Sequence, residues 1–527
     1  MLPSVVAVVA YAALVCASPV NVKIQKATVN GVYDASTGVD KFLGLKYATA
    51  LRFRRATATT YSKAATIDAT SFGVACPQIK GTNALAVDYG IYGTDEDCTV
   101  LDVYRPHTIP KGKLLPVMVW LHGGALTQGA ASHYPGEEMV RESSKIGLPV
   151  ITVIINYRLS AWGFLGGKEA AANGALNLGL YDQKSALQWV QDNISAFGGD
   201  KKKVTVFGQS SGAMSIAYHM LDVNTKLFRG AILESGTTTS VPAIAPELYQ
   251  GNYDALVGIV GCPTGPKSFE CLRTKDWELI YNATNQMFGQ PTVYGSRPWG
   301  VSIDGEIIPA SPSVRTAQGK IAKIPFITGN VNDEGTIFVK PQTVETSADV
   351  LSFLERDYLN RGATFFKNLA SIIKLEVFYP NIPALGSPFG TGDTTFFGKQ
   401  FKRAAAIYGD IHFQYARRNF LDMSVSKGIK SWSYIFNQVT PGTNAWQGVF
   451  HTAEIPYVFM KFTPADGTIY TLSQQMLSYW VSFAHNLDPN YHKNPKWDRY
   501  SQGRKNIVFT AAKTSMVPDD FRKLGIE

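Results

Sequence analysis

The chain has 527 residues, 45% hydrophobic and 17% charged, with a formal net charge of +9. That is ordinary globular composition with material for a large core. The densest basic runs, Lys201-Lys202-Lys203 and the Arg52, Arg54, Arg55 cluster, lack the interleaved aromatics of a nucleic-acid groove. They read as solvated surface, and no nucleic-acid partner is expected.

Residues 5–16 are nearly all apolar and end in small residues. This is the pattern of a secretory leader, too short for a spanning helix. Val15 and Ala17 stand at minus three and minus one of a cleavage before Ser18. The leader has no Lys or Arg, and the free α-amino group partly covers that lack. No other stretch is apolar enough to span a membrane, and the final FRKLGIE is neither a retention signal nor an anchor tail. The expectation is a signal peptide over 1–17 and a secreted single catalytic domain over 18–527, with no stable membrane anchor.

Cys16 falls in the leader, leaving Cys76, Cys98, Cys262 and Cys271. An even count in an exported chain predicts two disulfides. The simplest pairing joins Cys76 to Cys98 and Cys262 to Cys271, but sequence order does not choose among the three possibilities. No CxxC or HExxH spacing is present, so no metal or other cofactor is expected. Asn193-Ile-Ser and Asn282-Ala-Thr are glycan acceptors if exposed.

The first half alternates short apolar runs with helical patterns. LLPVMVWLHGG (114–124) and the β-branched PVITVIINYRL (149–159) read as strands buried on both faces. LYDQKSALQWVQDNISAF (180–197) places Leu180, Ala186, Leu187, Val190 and Ile194 at helical spacing. KVTVFG (203–208) is a short strand with a helix starting directly after it, and FRGAILESG and IPFITGN are two more strands. The alternation predicts a mostly parallel sheet wrapped by helices. The second half is richer in helices and long loops, notably over 345–430, and reads as insertions shaping a substrate cleft.

VFGQSSGAM (206–214) sits where a strand turns into a helix. In G-x-S-x-G the glycines leave room for a tight turn that lifts the central side chain out of the sheet. Here that residue is Ser210, between Gly208 and Gly212. The bland alternative is a small-residue strand–helix turn. A nucleophilic serine needs a base, an acid and backbone donors for an oxyanion. HGGAL (122–126) offers amide donors, and Ser211 adds its own N–H at the helix start.

The sequence resembles the type-B carboxylesterase/lipase family, which includes the cholinesterases and secreted fungal lipases, over nearly the whole mature chain. The resemblance rests on EDC (96–98), WLHGGAL (120–126), INYRLSAWGFLG (154–166), NLGLYDQKSALQWVQDNISAFGGD (177–200), VTVFGQSSG (204–212), AILESG (231–236), GNVNDEGTIF (329–338), FHTAEIPYVF (450–459) and SYWVSFAHNLDPN (478–490). It implies an α/β-hydrolase fold and a serine carboxylic-ester hydrolase working through an acyl-enzyme on a small-molecule ester. It also implies the pairings Cys76–Cys98 and Cys262–Cys271. Carried over by motif, Ser210 is the nucleophile, Glu334 the acid and His451 the base, in the chain order of that fold. Gly124, Ala125 and Ser211 match the oxyanion donors.

Asp333 is the alternative acid. His122 reads as a loop-bracing residue, and His219 and His485 as packing or surface residues. Arg52 with Glu96 and Arg158 with Asp182 match family ion pairs that hold loops. Ser235 matches a family serine beside the catalytic acid.

The sequence departs from the family in several places. Cholinesterases carry a Trp in the loop between the first two cysteines, and this loop, residues 77–97, has none. The residue before the nucleophile is neutral Gln209 where cholinesterases usually have Glu. Both changes argue against choline esters. The same loop, a lid in large fungal lipases, is shorter here, with Ile79, Leu85, Val87, Ile91 and Tyr92 as its apolar surface. That favours an esterase of small or soluble esters over a long-chain lipase or sterol esterase. A third reading, a binding protein on the same fold, is disfavoured because Ser210, Glu334 and His451 are all retained. Ala125 replaces a usual third glycine, and a left-handed backbone there would cost roughly 1 kcal/mol. FLGLKYATALRF (42–53) looks like a shortened form of a longer family segment.

Overall fold

The computed structural model describes residues 18–79, 93–289, 298–339, 344–358 and 369–523. The expected leader, and Leu85, Val87, Ile91 and Tyr92 of the lid segment, lie outside the described residues. The strands in chain order are β1 (Ser18–Ile24), β2 (Ala27–Asp34), β3 (Val39–Lys46), β4 (Ala48–Thr49), β5 (Thr57–Ala58), β6 (Thr66–Asp68), β7 (Val100–Pro106) and β8 (Leu115–Leu121). They continue with β9 (Ile151–Ile155), β10 (Gly199–Gln209), β11 (Gly230–Glu234), β12 (Phe326–Val331), β13 (Ser431–Phe436), β14 (Lys505–Phe509) and β15 (Ser515–Pro518).

One large sheet runs in the order β1-β2-β3-β7-β9-β8-β10-β11-β12-β13-β14-β15, with β6 beside β2. From β9 to β14 every neighbouring pair is parallel. The first strands and the last pair are antiparallel. The parallel centre is the part made of continuous apolar runs: β8, β9 and β11 are buried at every residue. Strands covered on both faces need such runs.

Side-chain alternation divides the core in two. Val117, Val119 and Leu121 of β8 join one cluster, with Ile151, Val153 and Ile155 of β9 and Val204 and Val206 of β10. Met118 and Trp120, Ile154 and Phe207 join the other. A strand's period of two sends alternate residues to opposite faces, so the sheet is the wall between the clusters. The Leu178–Asn193 helix covers the first face through Leu180, Ala186, Leu187 and Val190. The Thr468–Asn486 helix covers the second through Met476, Leu477, Trp480 and Phe483. A third, smaller core gathers Val339, Val344, Leu354, Phe401 and Ala404 from the helix-rich region of the second half.

Buried ion pairs fasten the loops. Arg158 grips Asp182 through Nε and Nη2, both at 2.7 Å, and donates from Nη1 to the carbonyls of Leu51 and Arg54. Arg52 binds Glu96 in bidentate fashion, and Trp162 donates to the same carboxylate at 2.7 Å. Arg52 is therefore drawn into the structure, while Arg54 and Arg55 are exposed. Disulfides join Cys76 to Cys98 and Cys262 to Cys271.

Candidate active site

Because the central strands are parallel, their C-terminal ends share one edge. The loop after β8, Ser210 after β10, Ser235 after β11 and Glu334 shortly after β12 all lie along it. An open α/β sheet presents its ligand crevice at this edge.

Ser210 has φ 57° and ψ −126°, a conformation rarely adopted by a residue with a side chain. Its N–H donates to the carbonyl of Glu234 at 2.8 Å, which pins the turn to β11. The Ser211–His219 helix starts at the next residue. Close approach explains the glycine that follows: a Cβ on Gly212 would lie 2.0 Å from the Leu121 carbonyl oxygen. The turn thus packs directly on the end of β8.

His451 lies in a loop whose Phe450 bridges Asp333. Its ring packs against Phe338 and Phe413, with centroids at 5.1 and 4.7 Å. Nδ1 is 2.5 Å from Oε2 of Glu334. The other Glu334 oxygen accepts from the Ser235 hydroxyl at 2.6 Å, the Val331 N–H at 3.0 Å and the Asn330 amide at 3.1 Å. Asn330 is itself held by Arg417 at 2.8 Å, and Arg417 is locked to Asp519. Those donors fix the orientation of the carboxylate.

Asp333, the alternative acid, is committed elsewhere. It accepts from Ser387 Oγ at 2.9 Å and from the N–H groups of Phe389 and Val449 at 2.8 and 2.9 Å. It ties two loops together and makes no bond to His451.

After β8 the backbone doubles back. Gly124 has φ 103°, and a Cβ there would meet the Gln128 carbonyl at 2.0 Å. Ala125 and Leu126 follow at φ 59° and 64°, so Ala125 does adopt the left-handed conformation, and it extends one residue further. Two residues with side chains in that region store of order 1–2 kcal/mol each. Packing holds the turn: Thr127 and Gln128 donate to the Gly124 carbonyl, and Leu126 donates to Ser211 Oγ at 3.2 Å. Among the described residues the N–H groups of Gly124, Ala125 and Ser211 donate to no protein acceptor.

The remaining histidines are occupied. His122 is buried and stacked on Tyr157 at 4.4 Å, and burial pushes it down to about 4, so it stays neutral. His219 bonds Gln183 at 2.9 Å and His485 bonds the Pro149 carbonyl at 3.0 Å. The two sequons differ. Asn282 is exposed, but Asn193 is 6% exposed and donates to the Trp189 carbonyl at 3.0 Å, so it fails the exposure its sequon required.

Several site residues were not singled out by sequence. Gln78 accepts from the Gly129 N–H at 2.9 Å, fastening the first disulfide's loop to the turn after β8. Asn330 and Arg417 brace the acid. Gln209, noted only for its lack of charge, places Nε2 3.1 Å from Nε2 of His451. Glu234 and Glu454 are wholly buried carboxyls, and Glu454 lies close to both Glu234 and Glu334.

Residues 18–523 match the model of the carboxylesterase family. The chain belongs to the carboxylesterase family. It is a carboxylic-ester hydrolase on the α/β-hydrolase fold. It is 34% identical to Lipase 2 of Geotrichum candidum, over 94% of this chain and 92% of that one. It is 33% identical to the secreted triacylglycerol lipase LIP1 of Gibberella zeae, over 97% and 90%. Among solved structures this carboxylesterase is similar to Aspergillus niger EstA, with TM-score 0.81 and 26% identity over 97% of this chain and 98% of that one.

Proposed function

We propose that this carboxylesterase cleaves its ester through an acyl-enzyme on Ser210, with His451 as base and Glu334 as acid. The observation carrying the reading is the 2.5 Å contact of His451 Nδ1 with Glu334 Oε2, at the sheet edge that also holds Ser210. Ser210 Oγ attacks the carbonyl carbon while His451 Nε2 takes its proton. The carbonyl oxygen becomes an oxyanion in reach of the free N–H groups of Gly124, Ala125 and Ser211. Losing one such donor costs roughly 3 kcal/mol of transition-state stabilisation. His451 then returns the proton to the departing alcohol. Water repeats the sequence on the acyl-enzyme and releases the acid. Glu334 fixes the proton on Nδ1 and balances the imidazolium.

The substrate in this proposal is a small or soluble ester, because the segment between Cys76 and Cys98 is short for a lid. The second reading is a triacylglycerol lipase, favoured by the names of the fungal relatives. We also propose a single catalytic domain over 18–527, exported behind a leader at 1–17. The family match beginning at residue 18, and relatives named as secreted, support this. Among the described residues no helix is long and apolar enough to cross a membrane. Asn282 is the proposed glycan acceptor.

Initial rates on p-nitrophenyl esters from acetate to palmitate, with Ser210→Ala as control, test the reading. A maximum at short chains that vanishes in Ser210→Ala is expected. A Ser210-dependent maximum at long chains, rising above the solubility limit, would move the assignment to lipase. Turnover that survives in Ser210→Ala would overturn the nucleophile.

A further inference from the structure

The atom of His451 that must receive the serine proton already has a partner. Among the described residues the polar group bonded to Nε2 is the Gln209 carboxamide, at 3.1 Å, and not the Ser210 hydroxyl. Glu334 occupies Nδ1, and an ionised carboxylate only accepts, so Nδ1 carries the ring proton. Nε2 is then a bare lone pair, and the Gln209 group facing it must be its NH2 donor. The ring is held by Glu334 at Nδ1 and packs against Phe338 and Phe413.

Gln209 is as constrained as the imidazole. It is the last residue of β10, paired with Glu234 of β11, and is 1% exposed. Its amide is wedged against the turn after β8: a Cβ on Gly123 would stand 2.9 Å from Gln209 Oε1 and 3.0 Å from Ser210 Cβ. The absent side chain at position 123 is what admits the amide next to the nucleophile. Among the described residues no protein donor is bonded to Gln209 Oε1.

We propose that Gln209 is a positioning residue for His451, its NH2 occupying Nε2 in the resting enzyme. In the resting enzyme its NH2 donates to Nε2 and competes with the Ser210 hydroxyl for that lone pair. When Nε2 takes up the serine proton, the NH2 loses its acceptor. The amide's NH2 serves the unprotonated imidazole, whereas a carboxylate there could serve only the protonated one.

This inference rests on the Ser210–His451–Glu334 reading, and its test separates the two. The measurements are the pH profile of kcat/KM and the pH-dependent rate of covalent labelling by an organophosphate, for wild type, Gln209→Met and Gln209→Glu. Donation to the neutral ring opposes its protonation, so Gln209→Met is expected to move the acid limb of both profiles to higher pH by a few tenths of a unit. Gln209→Glu favours the protonated ring and is expected to move it by about one unit. The surrounding ionisable groups (Glu334, Asp333, Glu234, Glu454, His412, Tyr408, Tyr434 and Arg417) are the same in all three proteins, so the displacement reads position 209. A merely structural role would lower rates and melting temperature and leave the limb in place. Labelling at Ser210 with acid limbs coincident in all three proteins overturns the inference. Absence of labelling at Ser210 in wild type overturns the underlying triad instead.

Discussion

Glu334 and His451 are separated by 117 residues of chain and by 2.5 Å in the fold. Exchanging one oxygen for an amide at this contact tests what the carboxylate does. Glu334→Gln preserves volume but can present a donor to Nδ1 and so favour the wrong tautomer. Its kcat is expected to fall about 10³- to 10⁴-fold, with KM little changed, as steady-state kinetics would record. A loss below about tenfold would mean that the acid is elsewhere.

Ala125 holds a left-handed backbone at φ 59°. Ala125→Gly removes the strain of a Cβ there, about 1 kcal/mol, but adds a similar entropy to the unfolded chain. Stability by urea denaturation should therefore stay within about 1 kcal/mol of wild type, with activity retained. Ala125→Val adds branching to the same conformation and is expected to lose both stability and kcat.

Glu454 and Glu234 are buried, and Glu454 lies close to both Glu234 and Glu334. Burial first, then the neighbouring carboxylates Glu234 and Glu334, push Glu454 well above its ordinary 4.5; burial also raises Glu234. Burial thus favours the protonated form of both. A group whose pKa is raised by folding contributes stability that is whole below its unfolded pKa and is lost as pH climbs toward the folded value. Stability should therefore decline above about pH 5, and Glu454→Gln should flatten that decline. Urea melts across the pH range would show the variant overtaking wild type at alkaline pH. Parallel curves would mean that Glu454 is not the group titrating.

Arg417 is buried and joins Asp519 at 2.7 and 2.8 Å, Ser433 at 2.6 Å and Asn330 at 2.8 Å. Burial alone would raise Asp519, but Arg417 and Arg418 outweigh it and hold that carboxyl well below the usual range. Arg417→Met strands Asp519 without its main partner and is expected to cost about 3–5 kcal/mol in denaturant unfolding. It also frees Asn330, so kcat should fall even where the variant is fully folded. Full activity at such a temperature would exclude a link from Arg417 to the acid.

The disulfide Cys76–Cys98 closes a loop of sequence separation 22 whose start is bonded to the turn after β8 through Gln78 and Ile79. The double variant Cys76→Ser/Cys98→Ser is expected to lose about 3 kcal/mol in the loop-entropy picture. Because the same loop braces the turn bearing Gly124 and Ala125, its kcat should fall as well.

The sequence by itself determined whatever rests on local pattern. The mostly apolar, β-branched runs at 115–121, 151–155 and 230–234 pointed to strands covered on both faces, and their alternation with helical spacing to a parallel sheet. Gly208 and Gly212 around Ser210 marked a turn too tight for side chains, and motif resemblance singled out Glu334 and His451. The tertiary structure decided what depends on contacts between distant segments. Asp333 and Glu334 are adjacent in the chain, and only the fold shows one tying loops while the other meets the imidazole. The Asn193 sequon matched its pattern, yet the side chain is buried against its own helix. Gln209 looked like a lost charge; its contact with the reactive nitrogen arises because β10 and the loop of His451 converge across 242 residues. Burial, competition for donors and the state of a titrating group are sums over neighbours from many segments, and one position in a sequence carries none of them.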